Sequence, residues 1–292
     1  MYTILFPCHE VNNKLPDELY KEEFEAAILQ DFRVVLFDYD RFVRDSEIIL
    51  NNESGSDIQQ TDFIGPMIYR GYMLKDTQYE LLYNWLLPKY KLINSPKEYS
   101  QCHYLPEVYE YIKEYTSKSV WFTEITLENI TNALSQLNSN LIFLKDFVKS
   151  AKESSDFVLL ESKDPKTWFA IIENFIKYRG KLFNKGIVLK EWLDVKKYNQ
   201  SQVNEWRCVF MNKRLVSMSQ NSNLNNASKP GISWLFLIAS TIPSNFLTID
   251  IIETNEGNWS IVETGDGQVS GLSPNQNILV YYSKINLISL EM

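Results

Sequence analysis

Two apolar, β-type runs near the end of the chain carry acids in a pattern that suits a hard cation. Ile249-Asp250-Ile251-Ile252 is followed by the turn Asn255-Glu256-Gly257-Asn258, then by Ile261-Val262-Glu263-Thr264-Gly265-Asp266-Gly267-Gln268. The turn has hairpin composition. Antiparallel pairing would bring Asp250 and Glu263 to one sheet edge, with Asp266 next in a glycine-bounded loop. Oxygen-only ligands on strands, completed by water, are what Mg²⁺ requires when its other ligands are phosphate oxygens. A solvent-facing hairpin with ordinary surface acids is the plain alternative.

Cations precede these acids. Lys145 closes the apolar run Leu141–Leu144 and is followed by Lys149 and Lys152. Ile187-Val188-Leu189-Lys190 turns polar at Glu191-Trp192-Leu193-Asp194, and Glu205-Trp206-Arg207 opens another strand. Cations and acids at successive strand ends are what a metal-nucleotide site requires: cations screen a polyphosphate, acids hold the metal, and backbone groups at a strand exit read the base. Each feature also has a structural reading. Lys145 and Lys149 could be solvated strand ends, Lys190 and Glu191 a surface pair, and Glu205 and Arg207 an ion pair on one strand face. No GxxxxGK[ST] occurs and no GxGxxG follows the first strand, which argues against a P-loop or dinucleotide site.

The elements that must position these residues fall into two styles. Strands at Tyr2–Phe6, Arg33–Phe37, Pro66–Arg70 and Leu92–Ile93 alternate with helices at Asp17–Leu29 and Thr77–Leu87, the latter stopped by Pro88. This alternation predicts a parallel α/β layer through about residue 100. The first helix places Leu19, Phe24, Ala27 and Ile28 on one face, and 51–61 reads as an exposed polar loop. A helix at Leu105–Tyr115, extended residues at Val120–Phe122, a strand at Phe157–Leu160 and a helix at Pro165–Tyr178 follow. Next come strands at Gly186–Lys190, Trp206–Met211 and Arg214–Ser217. Gln220–Gly231 is an Asn- and Ser-rich loop of the kind that often acts as a lid, and Trp234–Ser240 is helical. A boundary is expected near residues 103–118.

Arg70 ends a strand before Gly71, and ligands of open α/β sheets bind beyond such carboxyl ends. Its fork suits a substrate carboxylate or a phosphate. His9 and His103 lack a nucleophile partner and read as structural.

The 292 residues allow one large domain or two ordinary ones. Hydrophobic content of 45% and charged content of 23% describe a well-cored soluble globule. A net charge of −8 argues against a general grip on nucleic acid. Cys8, Cys102 and Cys208 show neither CxxC spacing nor a disulfide framework, which fits a reducing compartment. No apolar run is long enough to span a bilayer, and the N-terminus lacks signal-peptide character. The expected location is cytoplasmic, with no membrane partner.

In this order, Phe6-Pro7-Cys8-His9-Glu10, Tyr69-Arg70-Gly71, Lys145–Ser150, Gly186–Glu191, Glu205-Trp206-Arg207 and Glu263–Leu272 resemble the ATP-grasp superfamily, in the clade named for two arginines and one lysine. The resemblance implies an N-terminal parallel α/β pre-ATP-grasp domain, residues 1–105. An ATP-grasp domain of two α+β subdomains would follow, about 106–185 and 186–292. It implies ATP and Mg²⁺ as cofactors, and a ligase joining a small-molecule or peptide carboxylate to an amine. Lys145, Lys149 and Lys190 would contact the nucleotide, and Glu191, Trp192 and Leu193 would form the adenine-reading hinge. Glu191 or Asp194 would meet the ribose. Glu205 and Arg207 match an acid-x-Arg strand, with Arg207 at the γ-phosphate. Asp250 and Glu263 match the magnesium acids, and Arg70 would orient the acceptor. The family's usual third ligand, an Asn two residues after the Glu, is Gly265 here, with Asp266 the expected stand-in. A nucleotide-binding module without ligase activity and a small-molecule phosphotransferase remain as alternatives.

Overall fold

The computed structural model describes residues 2–52, 65–148, 159–198, 202–225 and 227–291. By Cα proximity it divides into two compact units, one of residues 1–102, 204–250 and 264–292, the other of 103–203 and 251–263.

In the first unit, β1 (Thr3–Pro7), β2 (Arg33–Phe37), β3 (Leu50–Asn52), β4 (Gly65–Tyr69) and β5 (Tyr90–Leu92) form a sheet in the order β3-β2-β1-β4-β5. β1 pairs in parallel with β2 and β4, β4 in parallel with β5, and β3 closes the edge antiparallel to β2. Near-continuous apolar strands such as Val34–Phe37 are the signature of a sheet covered on both faces, and residues 34–37 are all buried. Asn51 and Asn52 belong to β3, where an exposed loop is expected from their polarity, and Asn51 is buried. The rest of that expected loop lies outside the described residues.

Helices α1 (Lys21–Leu29), α2 (Tyr39–Asp45), α3 (Asp76–Leu86) and α4 (Pro96–His103) accompany this sheet. The expected apolar face of α1 is corrected. Leu19 and Ile28 are exposed, while Glu23, Ala26 and Ala27 are buried, because Glu23 is drawn inward by an ion pair described below. The α2 and α4 helices are absent from the sequence reading. Asp38 caps α2, its carboxylate accepting the Arg41 N–H, and α4 opens at Pro96, a residue suited to a first turn.

The unit continues through β12 (Glu205–Met211) and β13 (Arg214–Gln220), paired antiparallel with a bulge at Val209/Phe210. The helix Ser233–Thr241 follows, then β14 (Phe246–Glu253) and β15 (Trp259–Asp266) in the sheet order β13-β12-β14-β15, with residues 251–263 of these two strands grouped in the second unit. The terminal helix Ile278–Leu290, capped by the Asn277 side chain, buries Tyr281, Tyr282, Ile285 and Ile288 in a core shared with β1, β2 and β12.

In the second unit, α5 (Leu105–Ile112) and β6 (Ser119–Phe122) lead to α6 (Leu127–Gln136), β7 (Leu141–Asp146), β8 (Leu159–Glu161), α7 (Pro165–Arg179) and β9 (Ile187–Glu191). The sheet order is β6-β9-β7-β8, antiparallel throughout. Ile142, Leu144, Ile187 and Leu189 face α6 and α7 and make the core with Trp168, Ile172 and Phe175. Period-two alternation then turns Phe143, Lys145, Val188 and Lys190 to the other face. A mixed fold, parallel α/β first and antiparallel α+β after, agrees with the sequence reading.

Candidate functional site

In the first unit, β12 and β14 bring Arg207 and Asp250 together. Arg207 Nε donates to Asp250 Oδ1 at 2.8 Å and Nη2 to Oδ2 at 2.6 Å, a fork-to-fork pair. Asp250 is buried, and Arg207 Nη1 reaches the Gly271 carbonyl. Glu205, two residues earlier on the strand, accepts from Asn221 Nδ2 at 2.8 Å. This ties the start of the 220–231 loop to the site strand.

Two first-unit assignments are corrected. Arg70, expected to hold a substrate carboxylate or phosphate, is only 1% exposed. Its Nε and Nη2 fork onto Glu23 at 2.9 and 2.6 Å, and Nη1 donates to the carbonyls of Gly267, Gln268 and Ser270. Tyr282 donates its hydroxyl to the same Glu23. Arg70 is therefore the buried pin of the loop after β15. Asp266, expected as the third metal ligand, is wholly buried and accepts from Asn94 Nδ2 at 2.6 Å and from the Gln268 N–H at 2.7 Å. Burial pushes its carboxyl up to about 6, opposed by those same bonds. It is a structural carboxylate that shapes the turn.

In the second unit, register sets Lys145 and Lys190 on one sheet face, opposite Val188 and Phe143 respectively. Both are buried. Lys190 Nζ donates to Thr116 Oγ1 at 2.7 Å and to the Val262 carbonyl at 3.3 Å. Burial first, and then the Lys145 charge, lowers the Lys190 ammonium to about 7, with the Glu263 carboxylate pulling the other way. Lys149 lies outside the described residues.

The expected hinge follows β9. The Glu191 N–H goes to the Lys118 carbonyl and the Trp192 N–H to that of Leu141. Among the described residues the Leu193 N–H is not taken by the sheet. Glu191 Oε1 caps the turn at Asn138 and Ser139, and Asp194 Oδ1 accepts from Asn255 Nδ2. Trp192 is 39% exposed, beside the Phe143 ring. A cavity of about 340 Å³, lined by residues including Tyr115, Thr116, Leu193, Asp194 and Trp259, flanks the hinge.

Residues 136–285, just over half of the chain, match a family model for the ATP-grasp domain, family 3 of the clade named for two arginines and one lysine. The chain belongs to this ATP-grasp family. Solved structures share the fold over the full length. D-cycloserine synthetase DcsG is similar at 9% identity and a TM-score of 0.64, covering 98% of this chain and 99% of its own. A RimK domain protein ATP-grasp from Sphaerobacter thermophilus is similar at 12% and 0.61, covering 99% and 100%. The macrocyclase MdnC from Microcystis aeruginosa, solved with precursor peptide MdnA, is similar at 12% and 0.61, covering 98% and 99%. No curated protein matches the chain in sequence.

The donor set fits an ATP-grasp metal in kind: Asp250 and Glu263 offer hard oxygens. Among the described residues no group of three or more His, Cys, Asp or Glu converges as a metal cluster, so an ion would need further oxygen from elsewhere. Among the same residues no helix is long and apolar enough to cross a membrane. The sequence reading missed Glu23 and gave Gln268 no role of its own, although its side chain meets Tyr69, Tyr79 and Asp266. An acid three residues from Ala26 on a helix that must bury one face was the available signal for Glu23.

Proposed function

We propose that this ATP-grasp protein is an ATP-dependent ligase that joins a carboxylate to an amine. The supporting observation is the buried pair Lys145 and Lys190 on one sheet face. Burial and the neighbouring Lys145 charge disfavour the Lys190 ammonium, and a bound polyphosphate would favour its charged form. The substrate carboxylate attacks the γ-phosphorus of ATP, giving an acyl phosphate and ADP. The amine nitrogen then attacks the acyl carbon, phosphate leaves, and an amide results.

In this reading Lys145 and Lys190 bind phosphate oxygens, and the Leu193 N–H reads the adenine edge. Arg207, released from Asp250, meets the transferring phosphoryl group. Asp250 and Glu263 hold Mg²⁺, which when bound supplies charge neutralisation across the phosphates. The substrates are a small-molecule or peptide carboxylate and amine. MdnC, with its precursor peptide, is a precedent for the peptide case. We place the pre-ATP-grasp region at 1–105 and the ATP-grasp region at 106–292, divided near residue 185, in a cytoplasmic protein.

Asp250→Asn and Glu263→Gln should each lower ATP-dependent ADP release by about 100-fold or more; Asp250→Asn also breaks the buried fork with Arg207 and should lower the thermal transition. Wild-type rates in both would remove the metal assignment. Gly265 favours a second reading, a nucleotide-binding module without ligase activity. Thermal stabilisation by ATP without ADP release, across a panel of acids and amines, would select it.

A further inference from the structure

The cavity beside the hinge lies wholly within the second unit, and hydrogen bonds fix its walls. The turn after β14 is tied to the hinge exit. There the Asn255 N–H donates to the Asp194 carbonyl at 3.2 Å, and its Nδ2 to Asp194 Oδ1 at 2.7 Å. The start of β15 is tied to the segment before β6. Ser260 Oγ donates to the Tyr115 carbonyl at 3.0 Å, and Thr116 Oγ1 to the Ile261 carbonyl at 2.7 Å. The space of about 340 Å³ between them is at the small end of ligand pockets.

Its lining carries one sign of charge. Glu114, Asp194 and Glu256 border it, and no lysine, arginine or histidine does. Lys113 and Lys196, the lysines nearest Glu114 and Asp194 in sequence, are taken by Glu110 and Glu253. Among the described residues no acids converge as a metal cluster, so the negative charge is spread around the cavity and not focused on a point. Two further lining groups lack partners. Ser117 Oγ is buried without a hydrogen-bond partner, a cost that a ligand donor would remove. The half-buried Trp259 side chain makes no hydrogen bond or ring contact among the described residues.

We infer that this cavity binds a guanidinium group, carried on an arginine side chain or on a small alkylguanidine. A guanidinium is a planar, delocalised cation with five N–H donors. It can stack on Trp259, donate to Ser117 Oγ and share its charge among separated carboxylates, which a compact ammonium does less well. The cavity is apart from the phosphate-binding face proposed above, because neither Lys145 nor Lys190 lines it and its acids would repel a polyphosphate. The inference goes beyond the Mg-ATP reading and does not depend on it.

The test is isothermal titration of the full chain with N-acetylarginine amide and, in parallel, with N-acetylcitrulline amide, its neutral isostere. Saturable heat is expected for the guanidine, with binding about 10-fold or more tighter than the citrulline compound and weakened by added NaCl. Glu114→Gln with Glu256→Gln changes two exposed residues, so the thermal transition should hold while guanidine affinity falls by about 5-fold or more. Ethylguanidine binding as tightly as the arginine amide assigns the cavity to a small alkylguanidine. Tighter binding of an arginine-containing pentapeptide assigns it to a peptide side chain, and either result upholds the guanidinium. No saturable heat, equal affinity for the citrulline compound, or wild-type affinity in the double variant overturns the inference. Displacement of the arginine amide by ATP also overturns it, because the cavity would then be the adenine pocket.

Discussion

Arg70 shows how a residue of the right type at the right strand end can still serve the scaffold. A guanidinium beyond a β-strand reads as a ligand for anions, yet here the anion is Glu23, and three loop carbonyls take Nη1. Breaking such a buried pair leaves one desolvated charge alone, which costs about 3–5 kcal/mol. Glu23→Gln and Arg70→Met should therefore lower the urea midpoint strongly. Unchanged stability with a raised substrate KM would return Arg70 to the substrate. Lys190 behaves differently. Its ammonium, lowered to about 7, leaves the folded protein binding fewer protons than the unfolded chain from there up to the ordinary lysine range. The ligand-free protein gains stability from this group as pH rises through that window. A polyanion restores the charge, so nucleotide binding at pH 8 should take up a proton. Calorimetry in buffers of different ionisation enthalpy checks this, and Lys190→Met should abolish the uptake.

At the level of elements, alternation along β7 and β9 does most of the positioning. Leu144 and Leu189 enter the helical core, so Lys145 and Lys190 must take the other face. A one-residue slip would exchange them. Register at the start of β9 is guarded by Gly186, where a Cβ would sit 2.6 Å from both the Phe122 carbonyl and the Phe147 ring. Gly186→Ala should cost about 1–3 kcal/mol by overpacking, measured by chemical denaturation, since the opposing carbonyl belongs to β6 backbone and cannot rotate away. A wild-type transition would show that β6 yields. The strands were legible because alternation and apolar runs are local signals. The α6 helix was missed because Leu127–Gln136 is polar enough to read as loop until its Ile130, Ala133 and Leu134 stripe is seen against the sheet.

On the scale of the whole chain, distant segments share one unit: residues 204–250 and 264–292 group with 1–102, and 251–263 with 103–203. The loop Gln220–Gly231 is stitched at intervals, by Asn204 Nδ2 to the Ser228 carbonyl and by Ser273 Oγ to Asn221. Beyond Gln220 its described residues form no helix or strand. If it closes over nucleotide, protease cleavage within it should slow at least several-fold when ATP analogue and Mg²⁺ are added. An unaltered cleavage rate would remove the lid role.

The residues alone carried the resemblance to the family, the parallel-then-antiparallel order of strands and the placing of Lys145, Lys190 and Arg207 near strand ends, because alternation, turn composition and motif order are written locally; Asp250 and Glu263, expected at strand ends, lie in mid-strand. Only the tertiary structure decided which charges are already spent. Arg70 meets Glu23 across 47 positions and Asp266 meets Asn94 across 172. Burial and partnership at such separations depend on how remote segments pack, and no local pattern encodes them.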